Sequence, residues 1–184
     1  MKERPIIFSS PMVRAILDGR KTQTRRIVKG IGLAPGIGEI YKGSDDAEEW
    51  VKECPHGTVG DRLWVREITK EHLIGSVSLT EYVADGHVSN DKWYYPRHTR
   101  PSIHMPRLAS RITLEITSLR IERLLDITEE DAESEGADFL GTDESNGSYK
   151  YGFLLLWDRI NGKKSTDSNP WVWVVEFKRL GGNL

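Results

Sequence analysis

The stretch Ile112-Thr113-Leu114-Glu115-Ile116-Thr117 alternates apolar and polar side chains without a break. A period of two marks a strand with one face buried, and this is the clearest such pattern in the chain. Shorter strand signals lie on both sides of it. Upstream, Pro5-Ile6-Ile7-Phe8 is a compact apolar run, and Thr22 to Val28 is rich in β-branched residues. The turn signal Gly60-Asp61 precedes Leu63-Trp64-Val65, and residues 77–85 end in a hairpin-type Asp85-Gly86. Downstream, Pro170 opens a last strand from Trp171 to Phe177, with Trp171 and Trp173 on one face and Val172 and Val174 on the other. Trp64, Trp171 and Trp173 are read as core residues.

Helical signals are few and short. Ser10 before Pro11 predicts an N-cap followed by Met12, Ala15 and Ile16 at helical spacing, with Gly19 as the stop. Thr128 with Asp131 three residues later predicts a capping box. Tyr149 to Ile160, ended by Asn161-Gly162, predicts another helix. The glycine-rich stretch Gly30–Gly43 reads as a long loop, and residues 87–106 read as irregular. Many strands, few helices and no βαβ rhythm predict an α+β chain built on a partly closed, mixed or antiparallel β-barrel with short flanking helices. Neither an internal repeat nor a linker divides residues 1–184, so a single domain is expected.

Composition excludes several classes. The chain has 184 residues, 38% hydrophobic and 29% charged, which rules out collagen-like, membrane-embedded and wholly disordered chains. Its single cysteine, Cys54, permits no internal disulfide and suits a reducing compartment. No apolar run approaches the roughly 18 residues of a membrane span. The opening Met1-Lys2-Glu3-Arg4-Pro5 lacks the apolar core of a signal peptide, so a cytoplasmic location is expected. The net charge of −2 hides blocks: residues 1–30 and 92–120 are strongly basic, whereas 121–145 are strongly acidic. Two basic blocks predict an electropositive face that could take a nucleotide or RNA; the alternative is a solvated surface with uneven charge.

Several familiar motifs fail. Gly30-Ile31-Gly32-Leu33-Ala34-Pro35 puts proline where a dinucleotide fingerprint needs glycine. Gly162-Lys163-Lys164-Ser165 lacks the leading glycine of a P-loop. Cys54-Pro55-His56 has no second ligand pair for zinc, and no Gly-x-Ser-x-Gly occurs. No metal or cofactor is expected.

The densest polar constellation is Gly19-Arg20-Lys21-Thr22-Gln23-Thr24-Arg25-Arg26, held between a capped helix and a strand. Lys21 and Thr24 are three apart, so in a regular strand they would face opposite ways. They can converge only if residues 20–23 form a turn and the strand starts near Thr24.

This run, with the preceding Ser10-Pro11-Met12, resembles the opening motif of the ASCH domain family. Three later stretches carry the same resemblance: Gly60-Asp61-Arg62-Leu63-Trp64-Val65-Arg66-Glu67, Ile127-Thr128-Glu129-Glu130-Asp131-Ala132-Glu133-Ser134-Glu135-Gly136, and Trp173-Val174-Val175-Glu176-Phe177. Over nearly its whole length the chain is similar to phage and prophage ASCH proteins of enterobacteria, including Ile103-His104-Met105-Pro106-Arg107 and Asn169-Pro170-Trp171-Val172-Trp173. The resemblance implies a PUA-like β-barrel, related to RNA-binding PUA domains, with a cleft beside the first helix. Some small bacterial members are amidohydrolases that release acetate from N4-acetylcytidine, and their catalytic Lys, Thr and Glu match Lys21, Thr24 and Glu135. Another member is described as a ribonuclease, so fold does not fix the reaction. This chain departs from the compact members by extra segments near 30–58 and 70–106, which would reshape the mouth of the cleft.

The chemistry of those residue types is coherent. Thr24 can attack an amide carbonyl, Lys21 can accept its proton if desolvation and neighbouring arginines lower its pKa, and Glu135 can orient Lys21 or pass a proton to the leaving amine. The opposing reading is an ion pair of Lys21 with Glu135 that only pins the helix to the turn. Arg20, Arg26, Arg66, Glu67, His104 and Arg107 are the expected substrate-binding residues. Trp93-Tyr94-Tyr95-Pro96-Arg97-His98 could stack a base, or could pack its rings onto the body of the protein. The expected partner is a modified nucleoside or RNA. Metal-independent hydrolysis of an N4-acylated cytidine-type substrate leads, with RNA binding without turnover and metal-independent RNA cleavage as alternatives.

Overall fold

A computed structural model describes residues 1–28, 51–141 and 147–181. The glycine-rich stretch expected as a loop at Gly30–Gly43 lies outside them. The strands are β1 (Glu3–Ile7), β2 (Gln23–Ile27), β3 (Arg62–Arg66), β4 (Thr69–Ile74), β5 (Val77–Tyr82), β6 (Val88–Lys92), β7 (Thr99–Arg100), β8 (Thr113–Arg123) and β9 (Trp171–Arg179). The helices are α1 (Ser10–Leu17), α2 (Glu129–Ser134) and α3 (Tyr149–Asn161).

The fold is α+β, and among the described residues the strands form two sheets rather than a closed barrel. The strands form an open five-stranded sheet, β1-β3-β8-β9-β2, and a four-stranded sheet, β6-β5-β4-β7. In the first sheet only β1 and β3 pair in parallel; β3-β8, β8-β9 and β9-β2 are antiparallel. Its two faces bury separate clusters. Trp173, Val175 and Phe177 of β9 join Leu63, Val65 and Leu114 with Val13 and Ile16 of α1 on one side. Val172 and Val174 join Ala132 of α2 and Phe153 and Trp157 of α3 on the other. A strand buried on both faces has no polar side to show, which is why β9 reads as a nearly continuous apolar run.

In β8 the alternation changes phase. Ile116 faces Phe177 and Ser118 faces Glu176, so Thr117 is the extra residue of a β-bulge. Before the bulge Leu114 and Ile116 enter the α1-side core; after it Ile121 does, with Leu119 packed against the same cluster. The one-residue shift turns Arg120 and Glu122 to the α2 side, which an unbroken alternation would have denied them.

Local signals fare well at the caps. Thr128 and Asp131 form both halves of the capping box. Gly19 and Gly162 sit at positive φ just past their helices. Two details shift: the cap of α1 is Ser9 rather than Ser10, and Trp64 is only half-buried, its ring lying beside Arg66. Residues 87–106 are less irregular than expected, since they hold β6, β7 and a short 3-10 turn at Ser102–His104. The second sheet is tied to the first by Arg111, which pairs with Glu67 and Asp85, and by Tyr82, whose hydroxyl donates to Ala109 O at 2.9 Å. Among the described residues no helix is long and apolar enough to cross a membrane.

The bulge has a direct test. Thr117→Ala keeps the extra residue and an exposed position, so its effect is expected within about 0.5 kcal/mol. Deleting Thr117 drives Glu122 toward the apolar cluster and is expected to cost several-fold more, about 3–5 kcal/mol, the scale of an uncompensated buried charge. Urea unfolding of the two variants reads the difference.

Candidate active site

Strand β2 is an edge of the first sheet, and the chain reaches it by a turn built on α1. The amides of Arg20 and Lys21 both donate to Ala15 O, at 2.9 and 3.0 Å. Thr22 then joins α2 through its amide on Ser134 O at 2.8 Å, and Gln23 Nε2 reaches Asp131 O at 2.7 Å. The strand starts at Gln23, so Lys21 stands outside it and strand alternation does not set Lys21 and Thr24 on opposite faces.

Glu135 is the C-cap of α2, and Gly136 follows at φ +75°. That conformation suits glycine, and a Cβ at Gly136 would stand 2.9 Å from Ala15 Cβ and 3.1 Å from Lys21 Cβ. The close approach brings α2 against α1 and lets Lys21 reach the helix end. Lys21 Nζ donates to Glu135 Oε2 at 2.8 Å, Glu135 O at 2.7 Å and Gln23 O at 2.8 Å. Three acceptors match the three protons of an ammonium. Burial pushes Lys21 below the ordinary lysine value; Glu135 opposes this, and Arg26 and Arg25 add to it.

Beside it lies a second buried cation. The Arg25 side chain is fully buried and meets Glu135 at 3.2 Å, Asp131 at 2.9 Å and Glu122 in a short contact. Arg120 adds pairs to Glu122 and Asp131, each at 3.0 Å. The basic block at the N-terminus is thus partly neutralised inside the protein by the acidic block at 121–145. This corrects the expectation of one electropositive face made from all its cations.

A cavity of about 540 Å³ opens at this sheet edge. Lys21, Thr24, Arg25, Arg26 and Glu135 line it on the polar side; Phe8, Met12, Phe153, Leu156 and Trp157 supply apolar walls. Arg26 donates to Ile7 O at 2.8 Å and makes no ion pair within 4 Å among the described residues, so its charge is available to a ligand. Phe8 lies under both cations, 5.5 Å from Lys21 Nζ and 5.3 Å from the Arg26 guanidinium.

The other expected substrate-binding residues do not line this cavity. Arg20 is exposed and pairs with Asp18 at 3.4 Å. Arg66 donates to Met105 O at 3.1 Å and to Ile103 O. Glu67 is buried in a bidentate pair with Arg111. Arg107 pairs with Glu3 at 2.9 Å, and His104 stacks on Tyr95 near the second sheet. Each is held by a local partner or by a distant element that sequence order does not reveal.

Sequence reading missed the wall from α3 and the imidazole of His56. The wall had a signal, because Phe153, Leu156, Trp157 and Ile160 recur at helical spacing. His56 lines the cavity, and burial, followed by Arg26 and Arg4, lowers its pKa to about 4. It is neutral at pH 7 and can accept or donate one hydrogen bond there. Among the described residues no group of His, Cys, Asp and Glu is placed to hold a metal ion.

Compared with protein-family models, curated proteins and solved structures, the chain matches none.

Two outcomes follow from this geometry. Gly136→Ala is expected to lower stability by about 1–3 kcal/mol through strain at positive φ and crowding of Lys21, read by chemical denaturation. For His56, the unfolded ring binds its proton near pH 6.5 and the folded one near 4, so stability is lost as pH falls through that window. After allowance for partial exposure the loss is on the order of 2 kcal/mol, and His56→Gln should flatten this part of the stability–pH curve.

Proposed function

We propose that this chain is an ASCH-type protein with a PUA-like fold, a cytoplasmic, metal-independent amidohydrolase acting on N4-acylated cytidine-type nucleosides. The observation that carries the reading is the meeting of Lys21, Thr24 and Glu135 on one cavity. Its volume of about 540 Å³ lies within the range of roughly 300–1,000 Å³ common for small-molecule sites. The aromatic walls suit a planar base, and Arg26, which makes no ion pair among the described residues, suits a carbonyl or anionic oxygen. Internal pairing of Lys21 and Arg25 leaves fewer cations for a polyanion, which favours a nucleoside over extended RNA.

In the proposed reaction Thr24 Oγ attacks the acyl carbonyl and its proton passes to Lys21. Lys21 first gives a proton to Glu135 Oε2, with which it is already hydrogen-bonded at 2.8 Å, and its lone pair then turns from that carboxyl to Thr24 Oγ. The C–N bond breaks, the exocyclic nitrogen takes the proton held by the Lys21–Glu135 pair, and the acyl group stays on Thr24 as an ester. Water then hydrolyses the ester and releases the carboxylic acid. Arg26 stabilises the oxyanion of each tetrahedral intermediate.

The test is turnover of N4-acetylcytidine followed by chromatography of cytidine and acetate. Lys21→Ala and Thr24→Ala are each expected to lower kcat by roughly a hundredfold or more. Thr24→Ala leaves the buried ion pairs intact, so its loss cannot be blamed on misfolding. Wild-type rates in either variant, or no product from the native chain, overturn the assignment.

A further inference from the structure

The second sheet carries a cavity of about 570 Å³ that shares no lining residue with the first. At its base lies Arg100, only 6% exposed. Its guanidinium sits 4.6 Å from the Trp93 ring centre and 5.5 Å from that of Tyr95. Tyr95 is itself braced, edge-on against Trp93 and stacked on His104. This array fixes the plane of the guanidinium but uses none of its N–H donors.

The contrast with buried Arg25 and half-buried Arg111 is informative. Arg25 meets three carboxylates, and Arg111 is shared between Glu67 and Asp85. Arg100 has neither an ion pair nor a side-chain hydrogen bond among the described residues, although it lines the cavity. No Arg100 nitrogen is among the buried polar atoms left without a partner, so its donors open onto the cavity rather than into the protein. Burial pushes its pKa down, with only Tyr82 and Tyr95 acting the other way. A positive charge with open donors thus faces a cavity large enough for a ligand.

We propose that Arg100 binds the phosphate of a nucleoside monophosphate in this cavity. A planar guanidinium fork matches two phosphate oxygens. Lys92 on the same lining adds a second positive charge, and Asp91 subtracts one. The cavity is larger than a bare oxyanion requires, and the Tyr94 ring on its lining is 82% exposed, a free face on which a base can stack. Leu108, 95% exposed on the same lining, extends the apolar surface.

Isothermal titration of the full chain, in a buffer free of phosphate, with cytidine 5′-monophosphate, cytidine and inorganic phosphate tests this. The monophosphate is expected to bind at least about tenfold more tightly than cytidine, since charge-assisted bonds to the phosphate carry the affinity. Arg100→Gln should remove that advantage, and Asp91→Asn, which leaves Arg100 and its rings untouched, should strengthen binding. Tyr94→Ala should weaken the monophosphate but not inorganic phosphate. Equal affinity for cytidine and its monophosphate, or indifference to both Arg100→Gln and Asp91→Asn, overturns the site. Inorganic phosphate binding as tightly as the monophosphate overturns the nucleotide assignment. Amide hydrolysis in Arg100→Gln should stay at the wild-type rate, which keeps a failure here distinct from a failure at Lys21.

Discussion

A guanidinium with no exposed surface, enclosed by three carboxylates, is the constraint around which the rest is arranged. Arg25 on β2 meets Glu122 on β8 and Asp131 and Glu135 on or beside α2. Removing these charges from water is expensive, and their attraction repays it only if the geometry is kept and the remaining donors are satisfied. The network therefore tolerates little displacement of the edge strand, the central strand or the helix. Its product is a fixed Glu135, and through Glu135 a fixed Lys21.

How Glu122 reaches that network shows where sequence reading stops. The alternation at Ile112–Thr117 correctly marks a strand, and the capping box at Thr128 and the stop at Gly162 are local chemistry that a short window contains. The bulge at Thr117 is not local in this sense, since it exists only against Phe177 and Glu176 on another strand. Nor does any pattern near Arg25 disclose partners some hundred residues away. Block charges could be counted, but their mutual neutralisation depends on tertiary contact. The hairpin strands β4 to β6 are mostly half-exposed and polar, so they offered little periodicity. At the site itself, the trio of Lys21, Thr24 and Glu135 came from motif resemblance rather than spacing; the residues alone supplied only the demand for a turn before Thr24.

An unpaired strand edge invites aggregation, and proteins cover or blunt it. Here β2 is bounded by Phe8 and Met12 from one face and by the Phe153–Ile160 stripe of α3 from the other, and between them is the cavity. Thr24 and Arg26 pair with Val175 and Trp173, so they share that face of the sheet, while Arg25 turns to the opposite side. Alternation along a single edge strand thus separates the group that holds the scaffold from those available to a ligand.

The state of Lys21 follows from these facts. An ammonium surrounded by three oxygens is well satisfied, and a neutral amine in the same place would leave one acceptor without a proton. Burial and the adjacent arginines favour losing the proton; Glu135 favours keeping it. In the proposed reaction the proton crosses the 2.8 Å contact to Glu135 Oε2 and leaves both partners neutral. In that form Glu135 becomes the donor and the one lone pair of Lys21 accepts its hydrogen bond, so the proposed base can take a proton from Thr24 only after that bond opens. On the proposed reading, the carboxylate that stabilises the resting charge is also the reservoir from which a leaving amine is protonated.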